Sequence, residues 1–567
     1  MQAIQTSWAR LLVSALCLHV HIGAADWQFR SRPDLAAPRL NITIPASPDV
    51  EAGYLFIAPF SSFGDSNSNH GPRQAAPYIF RDDGDLVWSG YGYYSIWATN
   101  FQKSRWQGQD VLISFEGDHN PGYGHGHGHA TFLDQQYETI RELRAGNHKL
   151  MDKHEFHVVD ETTALIQVYQ PVVRDLRRWG GSHQQQWIVD AIFQGRLFFH
   201  LWSVSSVSNM VLSKTELDIE TGKVVFEWSS LEHVSPDGMA ASFWLFTPLI
   251  SAEAILPLNP GQAGSGFNSS DAWDYFHINS VDKDSDGNYL ISARDACSVH
   301  KVNGTSGEII WRLAGKRSDF DLGPNADFCF QHHARFVSQE EDDEIISLYD
   351  NSAHGTEDGS GHEVHSHRFS QGKILRLNTK NWTAIVVQAF APPNDYRLLS
   401  KSQGSTQLLP NGNVIVNWGS SGALTEYLPN GTAIFHTFFD SDFLGVGVQN
   451  YRGYRFNWTG FPNEEPAIVA IPSGSKTGVY VSWNGDTETK TWRFFQTGDD
   501  ADKYLGETPR TGFETVFWVP AGVQNIKAEA IDEGGNVLRT TQEATVEDYP
   551  KNSYVLTEGL FQQPLSV

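Results

Sequence analysis

Residues 276–292 read FHINSVDKDSDGNYLIS, and residues 331–347 read QHHARFVSQEEDDEIIS. Ten residues past His277 stands the turn residue Gly287, and ten past His332 stands Asp342. A third copy, KHEFHVVDETTALI (153–166), carries His154 ahead of a connection about two residues shorter. Each reads as a strand, a tight turn and an aliphatic strand. A side chain that recurs at one point of a repeated β unit lands at one place in every copy, and copies set in a ring bring those places together on the axis. Packing gives no reason for three imidazoles to share a register, so the pattern points to an active site built on a repeat.

The repeat extends outward from these copies. A turn followed by an apolar strand ending in an aromatic recurs as DGDLVW (83–88), TGKVVFEW (221–228), SGEIIW (306–311) and NGTAIF (430–435). A turn followed by an aliphatic strand recurs as DGNYLIS (286–292), DDEIISL (342–348) and PNGNVIV (410–416). Turn residues alternate with strands, without helical periodicity, from about Ala58 to Tyr454. Consecutive hairpins with one aromatic motif per unit predict a β-propeller, and motif spacings of roughly 45 to 85 residues allow about six blades. After Pro462 the pattern becomes short strands at 8–12-residue spacing, including GVYVSWNG and ETVFWVP. That predicts a small immunoglobulin- or fibronectin-like sandwich with Trp483, Trp492 and Trp518 in its core. The expected fold is therefore all-β: a six-bladed propeller over 26–462, a sandwich over 463–543 and a tail over 544–567.

Composition sets bounds on function. A chain of 567 residues with 13% aromatics can bury a large core. Its net charge of -25, without Lys/Arg clusters, opposes nucleic acid and anionic membrane as partners. At the N-terminus Arg10 precedes LLVSALCLHVHIGAA, which ends in small residues before Asp26. This run is too short to span a bilayer and predicts a cleaved secretory signal over 1–25, with an uncleaved anchor as the alternative. No second apolar stretch predicts a membrane span. Six sequons (Asn41, Asn268, Asn303, Asn381, Asn430 and Asn457) fit glycosylation on a secreted or lumenal route. Once Cys17 leaves with the signal, Cys297 and Cys329 remain. An isolated pair in an oxidising compartment is expected to join, with two buried free thiols as the alternative.

At this point the residues carry a resemblance. The runs DYFHINSVDKDSDGNYLISARD, SGEIIWRLAGKRSDF, FQHHARF, SLYDNSA and QGSTQLLPNGNVIVNWG, with ISFEGDHNPGYGHGHGHATFLD upstream, resemble the arylsulfate sulfotransferase family, especially its fungal-type secreted branch. The likeness extends over roughly residues 55 to 540. It implies a six-bladed propeller whose axial funnel moves a sulfuryl group from a phenolic sulfate ester to another phenol by a ping-pong route. Neither adenosine phosphosulfate nor any other cofactor is implied, and the partners are small phenolic compounds. By the same resemblance His332 is the nucleophile that becomes sulfated. His277 and Asn279 hold the sulfuryl oxygens, and Arg294 is the essential arginine. His154 matches a further site histidine, with Glu155 where the family has aspartate and His157 as a competitor.

These residue types suit the chemistry. Sulfuryl transfer, like phosphoryl transfer, has a loose transition state with charge on three equatorial oxygens, so positioning and electrostatics carry the catalysis. A neutral imidazole is a nucleophile near pH 7, an arginine offers a fixed fork of donors, and a second histidine can protonate the departing phenolate. The chain departs from the family in reading Asp295-Ala296-Cys297 after SAR, and Leu313-Ala314-Gly315 where Leu-Gly-Gly is usual. Alternatives remain on the sequence alone: a cyclase or tailoring enzyme acting without sulfation on a phenolic or polyketide-type secondary metabolite, and a binding propeller. Asp282, Asp284 and Asp286 spell half a calcium loop, but the twelfth position is Ala293, so a hairpin turn is expected. His125, His127 and His129 alternate with glycines and are expected to form a lid rather than a metal site. His362, His365 and His367 are expected in an exposed loop.

Overall fold

The computed structural model describes residues 26–61, 72–122, 124–195, 217–224, 226–234, 236, 258, 263–355, 363–439, 448–498 and 501–546. The expected signal over 1–25, the tail beyond 546, Cys17 and His362 lie outside the described residues.

The described chain is nearly all β, with one single-turn α-helix at Ser230–His233 and a few 3₁₀ turns. The three histidine-led hairpins form where turn chemistry puts them. Gly287, at φ +83°, turns between Ile278–Lys283 and Tyr289–Ala293, with Lys283 opposite Tyr289. Glu340 pairs with Asp343 across the turn between His332–Glu340 and Asp343–Asp350. Val159 pairs with Thr163 between Phe156–Val159 and Thr163–Val173.

Among the described residues, six sheets of four or five strands succeed one another, their consecutive strands falling within residues 54–89, 98–143, 156–229, 278–314, 321–390 and 405–438, with the first and last each completed by one strand from elsewhere in the chain. Alternation along each strand sends neighbouring side chains to opposite faces. Leu55 and Ile57 thus pack into a cluster shared with the 405–438 sheet, while Phe56 packs into one shared with the 98–143 sheet. Leu290 and Ile291 diverge in the same way. Six such clusters join each sheet to the next, and the sixth sheet to the first. The aromatics that end the repeat motif (Trp88, Trp228, Trp311 and Phe435) are all buried in these layers. A tryptophan burying about 150–250 Å² contributes roughly 4–6 kcal/mol before entropy is counted.

Both chain ends complete sheets. Asn41–Ile44 adds a fifth strand to Ala433–Phe438, and Tyr454–Phe456 pairs with Tyr54–Ile57. Beyond residue 462, Ala467–Ser473, Lys476–Ser482 and Glu514–Pro520 form one sheet. Thr491–Gln496, Lys503–Pro509, Asn525–Ile531 and Val537–Thr540 form another, which Ala544–Thr545 extends two residues past the expected boundary at 543. The two share a single cluster containing Trp483 and Trp492. Trp518 is not in that core: it is 47% exposed, because Thr515 and Val519 take the inward positions of its strand. Backbone and side chain of Ser31 hold Glu514, tying the N-terminal segment to this unit.

The acidic turn is held by protein groups. Asp284 accepts from the Asn288 backbone N–H and pairs at 3.0 Å with Lys301, whose ammonium also reaches Glu344. Asp282 accepts from the Phe336 N–H.

Candidate active site

The first strands of successive sheets deliver the histidines to one place. His154 and His277, just ahead of their strands, and His332, at the start of a third, line a single cavity open to solvent with Arg294, Asp295 and Tyr451, with about 490 Å³ of empty space. Non-glycine residues at positive φ collect around it: His277 (+52°), Phe330 (+58°) and Gln403 (+66°). Such conformations cost about 1–3 kcal/mol each and persist only where neighbours over-determine them. At His277 the neighbour is the Arg294 N–H, which donates to the His277 carbonyl at 2.9 Å.

His332 is held in one protonation form. The Asn351 side-chain N–H₂ donates to the carbonyls of Ser400 (3.0 Å) and Gln403 (2.9 Å). Its Oδ1, which can only accept, therefore faces His332 Nδ1 at 2.7 Å. Nδ1 must carry the proton, and Nε2 keeps the lone pair, which accepts from the Gln403 N–H at 3.3 Å. Burial, and then the Arg294 charge, hold this imidazole well below its ordinary protonation range. Arg294 is itself fixed: it donates to Asp295 Oδ1 (2.8 Å) and to the Lys401 carbonyl (3.0 Å), and lies 5.7 Å from the Phe330 ring centroid. Burial raises the Asp295 carboxyl, against the pull of Arg294.

His277 and His154 face each other, Nε2 to Nε2, at 3.2 Å. His277 Nδ1 meets Asp274 Oδ2 at 2.5 Å, and His154 Nδ1 meets Asp152 Oδ1. A proton in each of these three contacts would give the row three, one more than two neutral imidazoles between ionised aspartates hold. Burial raises Asp152 and lowers His154. Asp274 lies below its usual range because His277 and His125 outweigh its burial.

Other expected residues fall elsewhere. Asn279 is fully buried, but its Nδ2 donates to the Gln331 carbonyl at 2.6 Å and it does not line the cavity. Glu155, which stands where the family has aspartate, joins Arg335 and Arg452 at 2.8 Å each. Asp152 orients His154. His157 pairs with Asp282, away from the cavity, and His333 lies between Thr406 and Tyr454. Cys297 and Cys329 form a disulfide with Cα atoms 4.4 Å apart, three residues from Arg294 and His332 respectively.

The glycine–histidine alternation has a steric origin. A Cβ on Gly117, Gly126 or Gly128 would stand 2.0–2.5 Å from a backbone carbonyl oxygen, so only glycine lets the loop fold onto itself. The three histidines then part: His125 reaches Asp274 at 2.8 Å, His127 is half-exposed, and His129 turns to Glu116. His365 is exposed beside Glu363, and His367 pairs with Asp327. Asp152, Asp274 and Asn351 are site residues that the sequence reading left unassigned, and His125, expected in a lid, joins them through Asp274. The first two could have been found from their places two and three residues ahead of a register histidine.

Buried imidazoles of fixed protonation, gathered around an arginine in a cavity, are the equipment of a group-transfer enzyme. Residues 102–196 and 203–440 match the sequence model of the arylsulfotransferase (ASST) family. The chain belongs to that family, which makes it a transferase related to enzymes of aryl sulfate transfer. No curated protein matches it. Among solved structures, a protein of unknown function from Bacteroides caccae is 10% identical, with a TM-score of 0.34 over 71% of this chain and 98% of its own. The PQQ-bound aldose sugar dehydrogenase of Streptomyces coelicolor is also 10% identical, with a TM-score of 0.20 over 47% of this chain and 80% of its own. Among the described residues, no helix is long and apolar enough to cross a membrane.

Proposed function

We propose that this protein transfers a sulfuryl group between phenolic compounds through a sulfo-histidine on His332, without adenosine phosphosulfate. The observation that carries this reading is the Asn351 clamp, which leaves His332 Nε2 as a neutral nucleophile in a cavity shared with Arg294. In the first half-reaction Nε2 bonds to sulfur as the S–O bond to the aryl group breaks. The departing phenolate takes the surplus proton of the His277–His154 row. Arg294 faces the charge that spreads over the sulfuryl oxygens. In the second half, an acceptor phenol returns its proton to the row while its oxygen takes the sulfuryl group and the N–S bond breaks. Family membership supports the reaction class, and Asn279 acts from behind the wall rather than on the sulfuryl oxygens.

The reading extends to architecture and compartment. The cyclic succession of hydrophobic clusters supports a six-bladed propeller over 26–462, and the shared cluster beyond it supports a small sandwich. The disulfide fits a secreted or lumenal protein whose signal ends near residue 25. Four sequon asparagines (Asn268, Asn381, Asn430 and Asn457) are exposed, and Asn41 and Asn303 are half-buried.

Incubation with p-nitrophenyl sulfate tests the chemistry. Release of p-nitrophenolate should accompany a mass gain of one sulfuryl group on the peptide containing His332. His332→Ala should fold normally and lose both signals. Full turnover by that variant would sink the assignment and move attention to His333.

A further inference from the structure

A second cavity, of about 730 Å³, lies behind the wall of the first and is lined by His119, His125, His127, Tyr169 and Val189. Asp274 lines the first cavity and His125 the second, so their 2.8 Å hydrogen bond crosses the partition between the two. His125 stacks on Tyr169 with ring centroids 4.1 Å apart. The two carboxylates of the proton row both hold this loop: Asp274 takes His125, and Asp152 accepts from the Gly126 N–H at 2.8 Å.

We propose that His125 is a positioning residue that grips Asp274 from the second cavity and thereby sets how readily the His277–His154 pair gives up its proton. This rests on the reading of that pair as the acid of the reaction. Asp274 Oδ2 accepts from both His277 and His125. Each donor draws charge from one oxygen, so the second weakens the hold that the first feels. Removing His125 leaves the whole carboxylate charge on His277 Nδ1–H, which makes the pair a stronger base and a poorer acid. The other charged and titratable groups around this assembly are Asp152 and Lys153 beside His125, Asp295 beside Asp274, and Tyr169, Tyr451, His332 and Arg294 around the pair.

A metal held by His125, Asp274 and His277 is the rival reading, since their ligand atoms lie within 4.8 Å of one another. Ligands at zinc distances in a tetrahedron stand about 3.3 Å apart. The contacts of 2.8 and 2.5 Å to one shared oxygen are those of protons.

The test is a histidine-labelled NMR titration of the full chain, treated with EDTA, for wild type, His125→Ala and His125→Gln, alongside the pH profile of kcat/KM on p-nitrophenyl sulfate. In His125→Ala the pair should titrate about one pH unit higher, with the alkaline limb of the profile moving by the same amount. The amide donor of His125→Gln should bring both back. Free imidazole, entering by the second cavity, should restore His125→Ala but not His277→Ala. Identical titration of the pair in all three proteins would overturn the proposal. So would a profile that needs added zinc to appear, which would favour the metal. If wild type leaves aryl sulfates untouched, the proposed reaction fails, yet the titration still reads the coupling.

Discussion

Asn351→Ala tests the clamp on the proposed nucleophile. The substitution removes three hydrogen bonds at once: one from His332 Nδ1 and two to the carbonyls of Ser400 and Gln403. At about 0.5–1.5 kcal/mol net for each, and more where a buried partner stays unpaired, it should cost about 2–4 kcal/mol of stability. The larger effect is on rate. Without an acceptor at Nδ1, the ring can place its proton on Nε2, the atom that must attack. Loss of the residue that fixes the tautomer in a serine-protease triad costs about 10⁴ in kcat. Here a fall of about 10²–10⁴ is expected, with KM little changed, because Asn351 does not line the cavity. Single-turnover release of p-nitrophenolate, read beside a thermal melt, separates the two effects. A folded variant whose burst rate lies within threefold of wild type would refute the tautomer argument.

Three further outcomes are expected. Cys329→Ala opens a loop whose ends are 32 residues apart, and the chain-entropy relation puts the loss near 3.7 kcal/mol, measurable by denaturant titration under non-reducing conditions. Burial holds His300 and His436 at about 3. Below pH 6.5 the unfolded chain therefore binds two protons at these residues that the folded chain refuses, and the pair alone lowers stability by up to about 2.7 kcal/mol per unit as pH drops toward 3, with His154, His332 and His333 adding in the same direction; denaturant midpoints across that range check the sign and give a slope at least that steep. Ala314 sits at φ +60°, ψ −160°, where a side chain is strained by about 1–3 kcal/mol, so Ala314→Gly should raise the melting temperature.

Much of this was legible in the sequence because turns and alternation are local. Gly287 and Asp342 fix their hairpins with their immediate neighbours alone, and a shared hairpin register is enough to bring His154, His277 and His332 to one cavity. What a register cannot convey is the direction of a polar side chain. Glu155 stands beside His154 in the chain yet points to two arginines, because both residues precede the strand Phe156–Val159 and no strand register fixes their directions. Asn279 is two residues from His277 and still ends behind the wall. Asn351 reaches His332 only across a strand pairing, and His125 reaches Asp274 across 149 residues. Trp518 was placed in the core by composition, whereas strand parity decides which of two neighbouring aromatics is inside. The Leu-Ala-Gly departure was visible in the sequence, but its strain depends on a backbone angle.

The pairing of Asn41–Ile44 with Ala433–Phe438, and of Tyr54–Ile57 with Tyr454–Phe456, has a consequence for biosynthesis. Two of the six sheets stay incomplete until some 400 residues of later chain have been made. At about 5–20 residues per second that interval is tens of seconds. Throughout it the nascent amino-terminal strands keep open edges that invite pairing with other chains. Truncation before residue 456 should therefore yield aggregates rather than a smaller folded enzyme, and yield in a heterologous host should depend on what shields those edges during synthesis.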